Sequence, residues 1–336
     1  MRSEVDSTLQ GIRLGQPILF KNMAMVPLFD GSDTTFSYLT MKGALAKGFV
    51  EITEVSEGGS VPNLKVINHG DQPVLLLDGE EVKGAKQNRI INTSILLAAK
   101  SETVIPVSCT EQGRWNYNSR AFSESGNFMP ARSRSSKSER VYANLMSRNA
   151  YDAEQGAVWD EVASYHRQLN TSSFSSAMSD AYAQRETDLS EYLSAFALQP
   201  GQKGMVMLLN GQPAGADFLS RPEAYADVHE KLIKSFAVEA IIRPVQEVSA
   251  DNMPIEAYAF LRSLGEATET TFEPVGLGED LRYDSARSGG AALVYEGAIV
   301  HLNVYPKAWT QTETPDRSTQ SDAASTHLSD WIRRRF

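Results

Sequence analysis

The sequence predicts an α+β fold, with a β-rich, sandwich-like or barrel-like N-terminal half followed by an α+β half with helices packed on a β-sheet. Three observations predict it. Short β-prone runs recur at a spacing of roughly 8–12 residues over positions 17–110. Helical periodicity replaces them after residue 150. The dipeptide Asn210-Gly211 between two apolar runs is a strong hairpin signal within the second half.

The β-prone runs of the first half are rich in aliphatic, β-branched and aromatic residues, and glycine-containing turn signals separate many of them. Asp30-Gly31, Gly58-Gly59 and Asp78-Gly79 are examples. The predicted strands are residues 17–29, 36–41, 49–55, 64–67, 73–77, 90–98 and 103–110.

Residues 119–140 are rich in arginine and serine and poor in aliphatic side chains. This composition predicts a surface loop or linker between a β-rich domain (1–118) and an α+β domain (141–306). Residues 307–336 are rich in Thr, Gln, Ser and Asp, which predicts a disordered tail with a short terminal helix.

The second half alternates helices with strands. Apolar side chains at helical spacing over residues 152–169, including Val158 and Val162, predict the first helix of this half. The other predicted elements are helices at 175–196, 222–242 and 254–264, a hairpin at 205–218, a strand at 268–275 and a hairpin at 291–304 turning at Glu296-Gly297.

The bulk composition restricts the classes of partner. The formal net charge of −10 argues against duplex nucleic acid, whose phosphates select basic surfaces. The single cysteine, Cys109, rules out an intrachain disulfide and a cysteine zinc site, and the histidines are not at ligand spacing. We therefore expect a cytoplasmic protein without a membrane segment, metal or cofactor.

The first candidate constellation follows the apolar run 74–77. Within residues 79–89, framed by glycines, Glu80 could serve as an acid or base, and Gln87 and Asn88 could contact sugar hydroxyls or a base edge. Arg89 could hold a phosphate through two hydrogen bonds. The alternative is a solvated β-turn whose charges pair with one another.

The second constellation closes the run 103–110. Glu111, Arg114 and Trp115 place a carboxylate, an anion-binding group and a stacking surface within five residues of chain. Cys109 alternates with apolar neighbours and has no histidine nearby in sequence, which favours a buried structural thiol over a nucleophile.

The third constellation lies in the second half. Asp280 and Arg282 belong to a polar stretch, residues 276–283, interpreted as a loop, and Asp217 ends the first hairpin. His301 lies on a predicted strand, where it is a candidate catalytic residue. A lone histidine on a strand is more often a hydrogen-bonded structural residue.

Several of these segments together resemble a known family. The stretch 78–89, the run Ile105-Pro106-Val107-Ser108-Cys109-Thr110-Glu111, and Gly113-Arg114-Trp115 resemble the ADP-ribosylglycohydrolase and rhodanese-phosphatase associated domain family, which is uncharacterised. The resemblance extends over roughly residues 10–306. It implies a ligand such as ADP-ribose, an NAD-derived nucleotide or an ADP-ribosylated target, and it implies no mechanism.

Two functional hypotheses follow. In the first, the protein binds or processes an ADP-ribose-type ligand. Glu80 and Glu111 act as acid, base or ribose-binding groups, the arginines at 89, 114 and 282 hold the pyrophosphate, and Trp115 stacks on adenine. In the second, it is a non-catalytic scaffold whose Arg/Ser-rich segment docks a protein partner. Convergence of the charged groups on one cleft would favour the first hypothesis.

Overall fold

The structure, a computed structural model, describes residues 3–30, 34–247, 249–250 and 252–307. Within these ranges the chain forms helices α1 Ser3–Gly11, α2 Met41–Ala46, α3 Ala131–Arg148, α4 Gln155–Leu169, α5 Met178–Gln184, α6 Glu186–Ala195, α7 Pro222–Ile241 and α8 Met253–Arg262. Its strands in the first half are β1 Arg13–Leu14, β2 Ile18–Phe20, β3 Met23–Phe29, β4 Leu39–Thr40, β5 Val50–Glu54, β6 Asn63–Asn68, β7 Val74–Leu76, β8 Glu80–Gly84, β9 Arg89–Ile91, β10 Ile95–Leu97, β11 Ser101–Cys109 and β12 Phe122–Phe128. The later strands are β13 Gly204–Leu209, β14 Gln212–Leu219, β15 Thr268–Phe272, β16 Glu279–Asp284, β17 Ser288–Tyr295 and β18 Ala298–Pro306.

Strands β4 to β12 of the β-rich first half form two sheets that share a core. A six-stranded sheet has the order β12-β8-β9-β11-β6-β5, and a three-stranded sheet has the order β10-β7-β4. Apolar side chains of both sheets and of α2 form one buried cluster, which includes Ile52, Leu76 and Val107. The prediction of a β-rich first half is therefore confirmed. The apolar residues that alternate along these strands are buried between two layers of sheet.

The second half is centred on a nine-stranded antiparallel sheet. Its order is β1-β3-β13-β14-β18-β17-β16-β15, with β2 also paired to β3. Side-chain alternation on β3 sends Met23 and Met25 to one face and Ala24 and Val26 to the other. Helices α3 to α7 cover the first face, and α1 and α8 cover the second. The predicted packing of helices on a sheet is confirmed.

This sheet crosses the boundary predicted at residue 118. Strand β3, near the N-terminus, pairs along its whole length with β13, from Leu28 opposite Gly204 to Met23 opposite Leu209. The first strands of the chain therefore share a sheet with the last ones. Lys307 ends the described region, so the tail predicted over residues 308–336 lies outside it.

The interpretation of residues 119–140 as a loop or linker is wrong. Strand β12 and the first half of α3 occupy most of this segment. Ser133 and Ser135 are buried, and Arg134 and Lys137 have no exposed surface. The polar composition was misleading because small serines allow close helix packing and because the two cations pair with buried carboxylates, as described below.

Turn chemistry was predictable at the hairpins. Asn210 and Gly211 have φ values of +49° and +77°, and Glu296 and Gly297 have values of +49° and +74°. Ala85 at the tip of the β8–β9 hairpin also has a positive φ, +37°, a region in which glycine is less strained than alanine. None of the helices in the described ranges is long and apolar enough to cross a bilayer.

Candidate functional site

An open groove of about 430 Å³ lies where the β8–β9 hairpin tip, the segment after β11 and the start of α5 meet. We call it the hairpin groove. It is lined by Lys83, Gly84, Asn88, Glu111, Arg114, Asn118, Ser119, Ser123, Ala177, Ser179 and Asp180. Its volume falls within the range of small-molecule sites, which is roughly 300–1,000 Å³.

The strand register decides which polar side chains reach the hairpin groove. Glu81 pairs with Ile90, and Val82 pairs with Arg89. Because successive side chains point to opposite faces, Glu81 and Lys83 share one face of β8, and Arg89 lies on the other face of the sheet. Lys83 therefore lines the groove, whereas Arg89 does not.

Glu111 is the most heavily bonded carboxylate of the groove. Arg114 donates to it twice, from Nε to Oε1 at 2.9 Å and from Nη2 to Oε2 at 2.6 Å. Ser175 Oγ donates to Oε1 at 2.7 Å, and the Asn88 backbone N–H donates to Oε2 at 3.2 Å. Burial alone would raise the pKa of Glu111, but these donors outweigh it and leave the pKa below its ordinary value.

Arg114 is fully engaged by the protein. Besides binding Glu111, its Nη1 donates to the carbonyls of Ala85 at 2.7 Å and Asn116 at 2.9 Å. Nη2 also lies 3.3 Å from both the Gly84 carbonyl and Asn88 Oδ1. All five guanidinium N–H groups thus have acceptors. Arg114 fixes the hairpin tip and orients Glu111, and it retains no donor for a phosphate in this conformation.

Other side chains remain available to a ligand. Lys83 is exposed, and none of the ion pairs among the described residues involves its ammonium group. Asn88 Nδ2 donates to Ser179 Oγ at 3.3 Å, which leaves the Ser179 hydroxyl hydrogen free to donate. Asp180 accepts from Ser173 at 2.6 Å through Oδ2. A cation, hydroxyls and carboxylate oxygens thus face one open space.

Glu81 is on the same face of β8 as the groove residue Lys83 and two residues away from it. It is completely buried. Thr110 donates to Oε1 at 2.7 Å, and Oε2 has no partner with full hydrogen-bond geometry among the described residues. Burial raises the pKa of Glu81 to about 7, against the lowering effect of Thr110, Ser125 and Asn127 and with the help of the nearby negative charge of Glu111.

A β-bulge brings polar groups toward this carboxyl. The pairing of β12 with β8 shifts register between residues 124 and 128, and Gly126 has a φ of +80°. Ser125 and Asn127, on either side of Gly126, come close enough to Glu81 to influence its ionisation. Bulges of this kind are common beside functional sites, where they redirect side chains.

A second cluster lies on the opposite face of the sheet. Arg89 Nη1 donates to Gln87 Oε1 at 2.8 Å and also to Cys109 Sγ. The Trp115 ring lies over the Arg89 guanidinium, 5.4 Å from its centroid. Glu54 Oε1 is 3.8 Å from Nη2, an ion pair without hydrogen-bond geometry. Gln87, Arg89 and Trp115 therefore gather together, but away from Asn88, Glu111 and Arg114. The thiol of Cys109 is fully buried, as the sequence indicated.

Asp280 and Arg282 form a third cluster, which is buried. They lie on strand β16, so the interpretation of this stretch as a loop is wrong. Arg282 donates to Asp280 from Nε at 2.6 Å and from Nη2 at 2.8 Å. Thr93 donates to Asp280 at 2.9 Å and accepts from Arg282 at 2.7 Å. Asp280 and Arg282 are two residues apart on β16, so their side chains lie on the same face of the strand. There they bond to each other and are buried, which is why a polar sequence could be mistaken for a loop.

His301 is close to this cluster. Its Nδ1 is 2.8 Å from Ser94 Oγ, and its Nε2 is 3.5 Å from Asp217 Oδ1. Asp217 is held by Arg134 through two bonds of 3.0 and 2.5 Å. Burial would raise the pKa of Asp217, but Arg134 and His301 lower it to about 2. Both ring nitrogens of His301 thus have protein neighbours.

Further charges complete this buried network. Lys137 forms an ion pair with Asp78, and Asn303 Nδ2 donates to the other oxygen of Asp78 at 3.2 Å. Asp78, Lys137 and Asn303 are each at most 2% exposed. A buried charge is tolerated when it is paired and hydrogen-bonded, and this arrangement is typical of a structural network joining the sheets.

Glu80 is separate from all of these groups. It pairs with Lys231 of α7 and accepts from the Leu77 backbone N–H at 3.2 Å. Lys231 also contacts Glu124 at 2.5 Å. Glu80 is 1% exposed, and its carboxylate is held inside a three-residue ion cluster.

The ten residues singled out from the sequence are therefore divided among four places and do not converge on one cleft. Asn88, Glu111 and Arg114 line the hairpin groove. Sequence reasoning did not single out Lys83, Ser179 and Asp180 of the groove or the buried Glu81 on the same strand as Lys83. Successive side chains of a strand point to opposite faces, so Glu81 and Lys83 lie on one face of β8 and Glu80 lies on the other. This alternation was the sequence signal that could have identified Glu81 and Lys83.

The fold and the groove define an α+β protein that has a candidate site for a small polar ligand within its described residues. The domain described as the ARG and Rhodanese-Phosphatase-superfamily-associated Protein domain matches residues 11–305. The chain belongs to this family, as the resemblance of its motifs indicated. No curated protein matches the chain, and no solved structure matches it.

Proposed function

We propose that the protein binds an ADP-ribose-type nucleotide ligand in the hairpin groove. The observation that carries this proposal is the convergence of Lys83, Asn88, Ser179 and Asp180 on one open space of ligand size. A ribose offers adjacent hydroxyls that both donate and accept, which suits an amide, a hydroxyl and a carboxylate. A pyrophosphate offers negative charge, which suits the unpaired ammonium group of Lys83.

The family description supports the chemical class of the ligand. Its abbreviation ARG, interpreted as ADP-ribosylglycohydrolase, associates the family with proteins that handle ADP-ribose. Glu111 and Arg114 have a positioning role in this proposal. Their bidentate pair fixes the hairpin tip and keeps the Asn88 side chain directed toward Ser179.

Processing of the ligand is a second candidate function, and Glu81 is the observation that favours it. A carboxyl whose pKa is about 7 can exchange a proton near neutral pH, as a general acid must. Glu81 has no exposed surface, so contact with a ligand would require the structure around it to open. A turnover assay on ADP-ribosylated peptide, in which wild type is active and Glu81→Gln is not, tests this function.

The scaffold hypothesis loses one of its supports. It assigned a docking role to the Arg/Ser-rich segment, residues 119–137, and it was also motivated by the acidic composition and by the tail, which lies outside the described residues. The Arg/Ser-rich segment contains β12 and the start of α3, and Arg134 and Lys137 within it are fully buried. Deleting it would remove core structure instead of a docking arm.

Calorimetry with ADP-ribose and NAD tests the binding proposal. We expect measurable heat for the wild type and an affinity lower by on the order of ten-fold or more for Lys83→Glu, because a charge-assisted contact becomes a repulsion. Lys47→Glu, at an exposed lysine beside α2, makes the same charge change outside the groove. Absence of heat at millimolar ligand, or equal losses in both variants, would contradict the proposal.

A further inference from the structure

Phe174 is the most exposed large hydrophobic side chain in the part of the chain that the structure describes, with a relative accessibility of 106%. It lies in residues 170–177, between α4 and α5. Removing a phenylalanine ring from water is favourable, so a fully exposed ring at a fixed position offers a surface for a ligand.

The residues on either side of Phe174 are anchored to the hairpin groove. Ser173 Oγ donates to Asp180 Oδ2 at 2.6 Å, and Ser175 Oγ donates to Glu111 Oε1 at 2.7 Å. Both acceptors line the groove. Phe174 therefore lies between two residues that are bonded to the groove wall, next to the lining residues and not among them.

The backbone of this segment is also fixed. The Gly113 N–H donates to the Ser175 carbonyl at 2.8 Å, and a Cβ atom on Gly113 would lie 2.9 Å from Ser175 Cα. Glu111 and Ala177 form an antiparallel bridge. The exposure of Phe174 is thus imposed by a well-bonded loop that packs closely against the groove wall.

We propose that Phe174 is the platform on which a planar ring of the bound ligand stacks. The groove then selects ligands that carry a nucleobase over sugar phosphates that lack one. This inference rests on the proposed function of the groove. Aromatic side chains stack on every base because each base has a π face, so the platform distinguishes the presence of a base more than its identity.

Trp115, the stacking residue expected from the sequence, is less suited to this role. Its ring already contacts two protein cations, with Lys86 Nζ at 5.2 Å and the Arg89 guanidinium at 5.4 Å from its centroid. It lies on the side of the sheet opposite the groove face. Phe174 has no comparable contact among the described residues.

Calorimetry with two ligands tests the inference. We expect Phe174→Ala and Phe174→Leu to weaken ADP-ribose binding by between about 5-fold and 150-fold, the usual effect of losing one base stack. Phe174→Tyr, which keeps the ring, should stay within about twofold of wild type. Ribose 5-phosphate, which has no base, should bind all four proteins equally. Tyr258→Ala, which removes an exposed ring from α8, is the matched control.

Each other outcome has a defined meaning. Unchanged ADP-ribose affinity in both Phe174→Ala and Phe174→Leu would overturn the stacking role and leave the groove proposal intact. Equal losses for ADP-ribose and ribose 5-phosphate would overturn it as well, because the ring would then be acting on the loop. If wild type binds neither ligand, the proposed function fails and the inference fails with it.

Discussion

Replacing Glu81 by glutamine should change how the stability of the protein depends on pH. The Glu81 carboxyl is fully buried, and burial raises its pKa from 4.5 to about 7. In the folded protein it holds its proton up to about pH 7, whereas in the unfolded chain it releases the proton near pH 4.5. Folding therefore binds a proton in this window, and the contribution of Glu81 to stability falls as the pH rises through it.

The magnitude follows from the two pKa values. The difference between 4.5 and about 7 corresponds to about 3 kcal/mol, at 1.36 kcal/mol for each pH unit. Glutamine has the shape of the protonated acid, can keep the Thr110 bond and cannot ionise. The stability of Glu81→Gln relative to wild type should therefore increase by about 3 kcal/mol between about pH 4.5 and pH 8.

Urea denaturation monitored by circular dichroism, repeated across this pH range, measures the effect. Glu57→Gln, at an exposed turn, provides the control for loss of one carboxylate. A difference between Glu81→Gln and wild type that is constant with pH, or that decreases toward alkaline pH, would refute the account of a buried, protonated carboxyl.

Three further predictions concern the interior. Gly79→Ala should destabilise the protein by about 1–3 kcal/mol and lower its melting temperature, because φ at this position is +81° and the new Cβ would lie 2.9 Å from Arg134 Cγ. An unchanged melting curve would contradict this. Arg282→Met should lower the free energy of unfolding, measured by urea titration, by about 3–5 kcal/mol, and adding Asp280→Leu should recover part of that loss. Equal stability of the single and double variants would argue against a buried ion pair. Cys109 should react with a thiol reagent at pH 8 only on unfolding, since burial raises the pKa of its thiol to about 11; rapid reaction of the native protein would disprove it.

Local signals determined most of what the sequence could predict about the fold. The Asn210-Gly211 turn, the helix of residues 222–241 and the alternating strands follow from turn chemistry and periodicity. Long-range pairing was not predictable in this way. Strand β3 pairs with β13, which lies about 180 residues later in the chain. The pattern of apolar residues in β3 identifies it as a strand, but it does not indicate which distant strand is its partner.

The candidate site was predictable in part. Residue type and clustering selected Asn88, Glu111 and Arg114 as candidates, and the structure brings these three to one groove. The same reasoning could not distinguish a charge that faces a ligand from one that pairs inside the protein. Arg282 and Glu80 are the clearest examples, since each is bonded to a residue of opposite charge and has almost no exposed surface.

In the proposed function, the ligand binds in the hairpin groove. Backbone hydrogen–deuterium exchange with and without saturating ADP-ribose tests it directly, because bound ligand slows exchange in the segments that it contacts. We expect added protection in residues 83–88 and 173–180, with no change in β16 or β18. Protection confined to β16 and β18, which carry Arg282 and His301, or no protection anywhere, would contradict it.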